Sequence, residues 1–121
     1  VLGVLAAQRG VETIRSTDIS AGAVEATQAN AALNGVASQI DVDMAMLDSI
    51  EGPFDVVVAN ILAPVLVALA PDLRRLTAVA GTLIISGILA ENHQHVLDAL
   101  APLVVIDTVT EDGWAAISLR N

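Results

Sequence analysis

Residues 54–66, FDVVVANILAPVL, decide how this chain can fold. Phe54 and the residues from Val56 to Ala59 form an apolar run typical of a strand buried in a sheet. The run is interrupted at Asn60, whose amide carries both donors and acceptors. An unpaired buried amide costs about 1–3 kcal/mol, so either the fold or a ligand must satisfy Asn60. Pro64 then marks the opening of a helix.

The rest of the chain alternates helices and strands around this stretch. Ser20 is expected to cap a helix that ends at Asn34–Gly35, and Leu residues spaced by three and four continue the helix that starts at Pro64, with Pro71 expected to kink or divide it. We predict helices over residues 1–10, 21–34, 64–76 and 91–103. We predict strands over residues 11–18, 38–44, 54–60 and 82–86, the last after an Ala80–Gly81 turn, and a closing hairpin of residues 104–109 and 114–120.

This order predicts the fold class. Strands that alternate with helices indicate parallel pairing through right-handed crossovers, and the hairpin adds an antiparallel pair. We therefore expect an α/β, three-layer, Rossmann-like domain with a mostly parallel sheet, and 121 residues suit one domain. Such a domain normally opens with a strand and a glycine-rich turn. Because the sequence opens on a predicted helix, we expect that the first strand and its loop are missing.

Composition excludes several kinds of chemistry. The chain has no Cys, Lys or Tyr, which excludes disulfides, Schiff bases and a tyrosine acid, and it fits a cytoplasmic protein. Its formal charge of −9 argues against direct nucleic-acid binding and suits a basic partner. No signal peptide is visible, and the longest uncharged run, residues 56–71, is shorter than the roughly 20 residues of a membrane span. We expect no membrane association.

Asp18 is the first candidate site residue. It follows a predicted strand at its carboxyl end, which is the ligand edge of an open parallel sheet. A carboxylate there can accept both hydroxyls of a ribose, so Asp18 favours an adenosyl cofactor without selecting which one. The alternative is an Asp that stabilises a turn or caps the next helix.

Three stretches resemble one family. They are residues 18–36 (DISAGAVEATQANAALNGV), 54–63 (FDVVVANILA) and 83–91 (LIISGILAE), and they are similar to the catalytic domain of the ribosomal protein L11 methyltransferase (PrmA) family, whose members are class I S-adenosylmethionine enzymes. The family's glycine-rich loop and its N-terminal substrate-recognition domain are absent from the sequence, and Ser20–Ala21 replaces a frequent Asp-Pro pair. We therefore expect residues 1–121 alone to bind the cofactor weakly.

The resemblance implies a role for each candidate residue. Asp18 and the adjacent Ile19 would bind the cofactor's ribose side, and Asp43 and Met44, after the third family strand, would contact its adenine. The alternative for Asp43 and Met44 is an ordinary surface pair at a strand end. We predict that Asp18 and Asn60 face one crevice.

Asn60 would contact the cofactor and act as the catalytic residue. A lysine amine is neutral only about once in a few thousand at pH 7, and an amide oxygen can hold the free amine with its lone pair directed at the sulfonium methyl. Catalysis would come chiefly from positioning. The alternative is an Asn that caps the following helix. Ile61, Leu62 and Ala63 replace the Pro-Pro-aromatic motif of many amino-methyltransferases, which suits an alkyl amine.

The remaining polar and aromatic residues receive lesser roles. Ser86–Gly87 is a candidate for the substrate side, with a turn requirement as the alternative for Gly87. His93 and His95 lie two residues apart on a predicted helix, so they cannot share a metal, and we expect no metal site. Trp114 is predicted to fill the core beneath the closing hairpin.

The sequence thus indicates an S-adenosylmethionine-dependent protein N-methyltransferase, which the resemblance directs to amino groups (lysine side chains and the N-terminal amine) of ribosomal protein L11. Two alternatives stay open: a non-catalytic Rossmann-like module that binds a nucleotide or partner, and a protein-lysine methyltransferase with a different target. A short-chain dehydrogenase is disfavoured because Tyr and Lys are absent. A missing central strand would also expose sheet edges, so a dimer through those edges is expected.

Overall fold

The computed structural model describes residues 2–121. These residues form two compact units, the first ending at Ser49 and the second covering Ile50–Asn121. Each unit has its own sheet.

The first unit consists of two α-helices, two parallel strands and two short 3-10 helices at Ala37–Gln39 and Leu47–Ser49. Its elements in chain order are α1 (Leu2–Gln8), β1 (Ile14–Thr17), α2 (Ala21–Leu33) and β2 (Ile40–Asp43), and β1 pairs with β2 in parallel. Ser20 caps α2 as predicted, because its Oγ accepts a hydrogen bond of 3.3 Å from the Ala23 N–H. The core consists of small apolar residues from both helices and the loop after α2, packed against Ile14 and Ile40: Val4, Ala7, Ala31 and Val36.

The second unit is a four-stranded mixed sheet with two helices. Its elements are β3 (Phe54–Asn60), α3 (Ala63–Leu76), β4 (Thr77–Leu89), α4 (Gln94–Leu100), β5 (Val104–Glu111) and β6 (Trp114–Arg120). The spatial order is β3-β4-β6-β5. The β3–β4 pair is parallel, whereas β6 runs antiparallel to both β4 and β5. The predicted strand at residues 54–60 and the closing hairpin are therefore confirmed.

The core of the second unit follows from the spacing of its apolar residues. In α3 the buried positions Leu66, Ala70 and Leu73 recur at three and four residues, which gives the helix one apolar side. Pro71 lies within α3, which nevertheless stays a single helix. Alternate residues along the strands are buried together with residues of α3 and α4. The fully buried side chains include Leu83, Ile85, Ile88, Val96, Leu100, Ile117 and Leu119.

The predicted turn at Ala80–Gly81 is wrong as a strand boundary. Strand β4 already begins at Thr77 and runs through both residues. Its pairing with β3 shifts between Phe54 and Val56, so residues 78–81 bulge out without ending the strand. Ala80 has a left-handed φ of 63°, and its N–H donates to the Asn121 carbonyl at 3.0 Å. A glycine and a left-handed residue therefore mark an irregularity inside a strand.

Among residues 2–121, no helix has the length and apolar character that a membrane crossing requires.

Candidate functional site

Asn60 is the last residue of β3, and its side chain is exposed. The cap position of α3 is Leu62, with no side-chain hydrogen bond, so the helix-cap alternative for Asn60 is wrong. Within residues 2–121 no hydrogen bond engages the Asn60 amide. The amide is thus available to a ligand at the carboxyl end of a parallel strand.

Gly87 fixes the space beside that amide. Asn60 pairs with Ser86 on β4, and the register of β4 with β6 shifts between Ile85 and Ile88, so Ser86 and Gly87 form a bulge. A Cβ at Gly87 would lie only 2.8 Å from Asn60 Oδ1, and Gly87 has a φ of +80°. Both the close approach and the left-handed backbone require glycine. The structure therefore supports a local backbone requirement at Gly87, and a place on the substrate side stays a prediction.

Beside the bulge lies an open cavity of about 430 Å³, here called the Asn60 recess. Its floor is formed by Ser86, Gly87 and Ala116, which have small side chains or none. The closing hairpin forms the wall opposite Asn60. The lining residues are Asn60, Ser86, Gly87, Val109, Glu111, Asp112, Trp114, Ala115 and Ala116.

Strand register places most of these side chains on one face of the sheet. Ala59, Ile85 and Ala115 are buried on the face that carries the core, so their neighbours Asn60, Ser86 and Trp114 belong to the opposite face. The Glu111–Trp114 and Val109–Ala116 pairs extend that face onto β5. The recess is therefore a feature of the sheet surface within the second unit.

The hairpin that forms the wall is tightly built. Asp112 and Gly113 have φ values of 52° and 82°, the pair of left-handed residues that a two-residue hairpin turn requires. The Ala90 N–H donates to the Gly113 carbonyl at 2.8 Å, which ties the turn to the end of β4. Trp114 is 52% exposed and lines the recess, so the prediction that it fills the core is wrong. The next residue on β6, Ala115, points into the core instead.

In the first unit, Asp18 follows β1 and is exposed. Its Oδ1 accepts a hydrogen bond of 2.9 Å from the Ser20 N–H, an Asx turn that leads into α2. The turn-stabilising alternative is thus realised, but it occupies one carboxylate oxygen only. Ile19 is 96% exposed between them. An exposed carboxylate beside an exposed apolar side chain suits contact with a ribose and the atoms next to it.

Asp43 follows β2, and its carboxylate already has partners. Both of its oxygens lie 2.9 Å from Arg15 Nη2, and Oδ1 also accepts a 2.8 Å bond from the Ala45 N–H. The Ala45 hydrogen bond, followed by those from Arg15, lowers the pKa of Asp43 below its ordinary 3.8. Asp43 is thus an anion at neutral pH with its best acceptor positions in use. Arg15 was not singled out from the sequence, because its role depends on the β1–β2 register.

The structure brings the predicted residues together in two groups. In the first unit the Asp18 N–H donates to the Asp43 carbonyl at 3.2 Å, which places both strand ends at one edge, and Met44 is half-exposed beside them. In the second unit Asn60, Ser86 and Gly87 meet at the recess. That Asp18 and Asn60 share one crevice stays a prediction. Within residues 2–121 no group of three or more His, Cys, Asp or Glu could hold a metal.

Comparison with known proteins identifies the family. The model of the ribosomal protein L11 methyltransferase (PrmA) family matches residues 1–121. The chain belongs to the PrmA family. A PrmA relative named ribosomal protein L11 methyltransferase, from Geotalea daltonii, is 42% identical over 121 residues, covering 98% of this chain and 38% of that protein. The chain therefore spans about two fifths of the length of this relative.

Solved structures agree with the PrmA assignment. The crystal structure of a ribosomal protein L11 methylase from Lactobacillus delbrueckii subsp. bulgaricus superposes with a TM-score of 0.92 at 31% identity, covering 99% of this chain and 64% of that chain. An RNA methyltransferase from Salinibacter ruber, in complex with S-adenosyl-L-homocysteine, gives a TM-score of 0.76 at 17% identity, covering 97% and 71%. That second likeness shows the fold alone. The α/β, Rossmann-like methyltransferase fold predicted from the sequence is confirmed.

Proposed function

We propose that this chain is the catalytic part of an S-adenosylmethionine-dependent methyltransferase that modifies amino groups of ribosomal protein L11. The main support is the family match over residues 1–121. The unpartnered Asn60 amide at the carboxyl end of β3 adds a site with suitable chemistry. S-adenosylmethionine supplies an electrophilic methyl group when bound.

Asn60 orients the amine nucleophile. An ammonium has no lone pair, so the reacting form is the free base, which needs acceptors for its hydrogens and no strong acid nearby. Asn60 Oδ1 can accept one of those hydrogens, and Gly87 leaves it in place by offering no Cβ. The rate enhancement from such a group comes from holding the reacting atoms in line.

The first unit binds the cofactor in this proposal. Asp18 accepts the ribose hydroxyls with the oxygen that Ser20 leaves free, and Ile19 packs beside them. Met44 covers the adenine, and Asp43 accepts from the exocyclic amine with lone pairs that Arg15 and Ala45 leave unused. Asp43 carries the weakest support of these residues, because both of its oxygens are engaged.

The experiment measures methyl transfer from radiolabelled S-adenosylmethionine to purified ribosomal protein L11, using the protein as its gene encodes it. We expect transfer by the wild type and a loss of about 100-fold in kcat for Asn60→Ala, a size typical of a lost positioning group. Asn30→Ala, which removes an exposed amide from α2, is the control and should leave kcat unchanged.

Calorimetry separates the alternatives. S-adenosylhomocysteine should bind more tightly than NAD. Tighter binding of NAD, or cofactor binding with no methyl transfer to any basic protein, would contradict the proposal and favour a non-catalytic module. Transfer to another protein in preference to ribosomal protein L11 would reassign the target.

A further inference from the structure

The Asn60 recess has an aromatic and acidic wall that methyl transfer by Asn60 does not explain. Trp114 is half-exposed there, and Glu111 is its direct cross-strand partner in the hairpin. Side chains of such a pair lie within contact distance on one face of the sheet. Asp112 also lines the recess, and no Arg or His does. Within residues 2–121 no ion pair neutralises Glu111.

We propose that Trp114 and Glu111 bind the substrate as an alkylammonium ion, the protonated amine before transfer and the methylated amine after it. The inference rests on the proposed function and adds the residues that determine specificity. An indole ring attracts a cation through its electron-rich face, and a neighbouring carboxylate adds a charge of the right sign. The Glu111 carboxylate would repel an anion. A neutral alkyl group would displace water from that carboxylate without offering it a hydrogen bond or an opposite charge.

The width of the recess fits one alkyl chain. Strands β3 and β6 flank β4, so their backbones lie about 10 Å apart, two interstrand spacings. The gap between Asn60 and Trp114 is thus one strand wide, with Ser86 and Gly87 as its floor. Trp114 pairs with Leu89, three residues beyond the Asn60 partner Ser86 on β4, so the two side chains are offset along the strands and line the same recess. A flexible alkyl amine held by Trp114 and Glu111 can move along the recess to the Asn60 amide. The wall therefore selects the cationic group. The ammonium releases one proton to water through the open side of the recess, and Asn60 then receives the neutral nitrogen.

Trp114 itself provides the readout. It is the only Trp of residues 1–121, which contain no Tyr, and the part of the fluorescence change that is lost in Trp114→Leu reports on this residue. The protein is titrated with Nα-acetyl-lysine amide, with its Nε-trimethyl form and with the amide of Nα-acetyl-2-aminoheptanoic acid, the neutral isostere of lysine. Both cations should give a saturable change, and the isostere should bind about tenfold more weakly. Equal responses to all three, or a response that never saturates, would overturn the proposal.

Two matched variants distinguish a direct contact between Glu111 and the cation from a general effect of the protein's net charge. Glu111→Gln and Asp107→Asn each remove one negative charge from β5, but Asp107 does not line the recess. We expect Glu111→Gln to weaken cation binding about threefold and Asp107→Asn to leave it unchanged. Equal weakening by both variants would show a general charge effect and refute a role for Glu111.

A third variant tests the role of the indole ring. The cation titrations contain no cofactor, so their outcome does not depend on methyl transfer, and the two proposals can fail separately. Trp114→Leu, followed by amide chemical shifts, should lose the preference for the cation while its unfolding midpoint stays near the wild type. If Trp114→Leu keeps the preference, the proposal fails. Methyl transfer without any cation preference would overturn this inference alone. Cation binding without methyl transfer would overturn the proposed function instead.

Discussion

Gly87 is the residue against which the Asn60 amide rests. Its backbone is left-handed, and the position of a Cβ would be 2.8 Å from Asn60 Oδ1. Real Cβ atoms do not approach an oxygen so closely, so any side chain here must displace Asn60 or the bulge. The placement of the Asn60 amide thus depends on a residue that has no side chain.

We expect Gly87→Ala to lose about 1–2 kcal/mol of stability from backbone strain and to lower methyl transfer at least tenfold by moving Asn60. Gly35→Ala is the control, because Gly35 has a similar φ of +69° and nothing within 4 Å of its Cβ position. It should cost stability without lowering transfer. Chemical denaturation and the methyl-transfer assay measure the two effects, and equal loss of transfer in both variants would contradict this account of Gly87.

One substitution at Asp18 can separate its turn-stabilising role from its proposed role in cofactor binding. In Asp18→Asn the side-chain oxygen can still accept from the Ser20 N–H, so the turn into α2 is kept. The charge that would hold the ribose hydroxyls is lost, and we expect S-adenosylhomocysteine to bind about tenfold more weakly, the scale of a charge-assisted hydrogen bond. Calorimetry measures the affinity, with Asp48→Asn as the control. Unchanged affinity would leave Asp18 as a turn residue only.

At the scale of the elements, α2 depends on its cap. Ser20 Oγ is the side-chain acceptor at the first turn of this 13-residue helix. We expect Ser20→Ala to destabilise the first unit by about 1 kcal/mol and Ser20→Asp to restore most of that loss. Denaturation followed by circular dichroism measures the change. If Ser20→Ala is as stable as the wild type, the Ser20 bond to the Ala23 N–H contributes nothing in solution.

The β1–β2 pair carries a pH-dependent interaction. The pKa of Asp43 is lowered in the folded chain from its ordinary 3.8 by the Ala45 N–H and Arg15. The folded state therefore holds the carboxylate more strongly than the unfolded state does, so this contribution is complete above pH 3.8 and is lost as pH falls through the lower folded value. We expect the stability difference between wild type and Asp43→Asn to shrink below pH 3.8. Acid titrations of both proteins test this, and a constant difference would contradict it.

Local signals explain why most elements could be predicted from the sequence. The cap at Ser20, the apolar run of β3 and the two-residue turn at Asp112–Gly113 each depend on neighbouring residues only. Asn60 could be singled out because a polar amide ends an apolar run. The continuation of β4 through Ala80–Gly81 could not be foreseen, since a glycine after a small residue signals a turn as strongly as a bulge.

The site residues that the sequence did not reveal are set by pairing between strands. Arg15 meets Asp43 through the β1–β2 register, and Trp114 faces the recess because Ala115 takes the core position beside it. Trp114 was predicted to be buried because it is the only large aromatic residue. A count of alternation along β6, with Ala115, Ile117 and Leu119 inward, is the signal that would have placed Trp114 on the other face.

At the scale of the whole molecule, four strands have an edge without a pairing strand in residues 2–121. Strands β1 and β2 pair only with each other, β3 pairs only with β4, and β5 pairs only with β6. Val56 and Val58 on β3 are 57% and 50% exposed. Such an edge presents unpaired N–H and C=O groups beside apolar side chains, which favours self-association. We propose that copies of this chain associate through these edges.

Sedimentation velocity over a range of concentrations should therefore detect a dimer. We expect Val56→Lys to weaken dimerisation roughly tenfold, because a charge on an edge strand opposes pairing. Val79→Lys adds the same charge at an exposed position in the bulge of β4, a strand that lies between β3 and β6 and not at an edge, and should have little effect. A protein that stays monomeric at all concentrations would show that these edges do not pair with each other.

The two-residue turn at Asp112–Gly113 has a consequence for how the family could diversify. The hairpin joins the rest of the sheet only through β6 alongside β4, and its inner pairs, such as Ile85 with Ile117, are anchored well away from the tip. Residues can therefore be exchanged at the tip while Asn60, on the far side of β4, keeps its place. Under the proposed function, natural variation confined to this tip would change the target and leave the reaction unchanged.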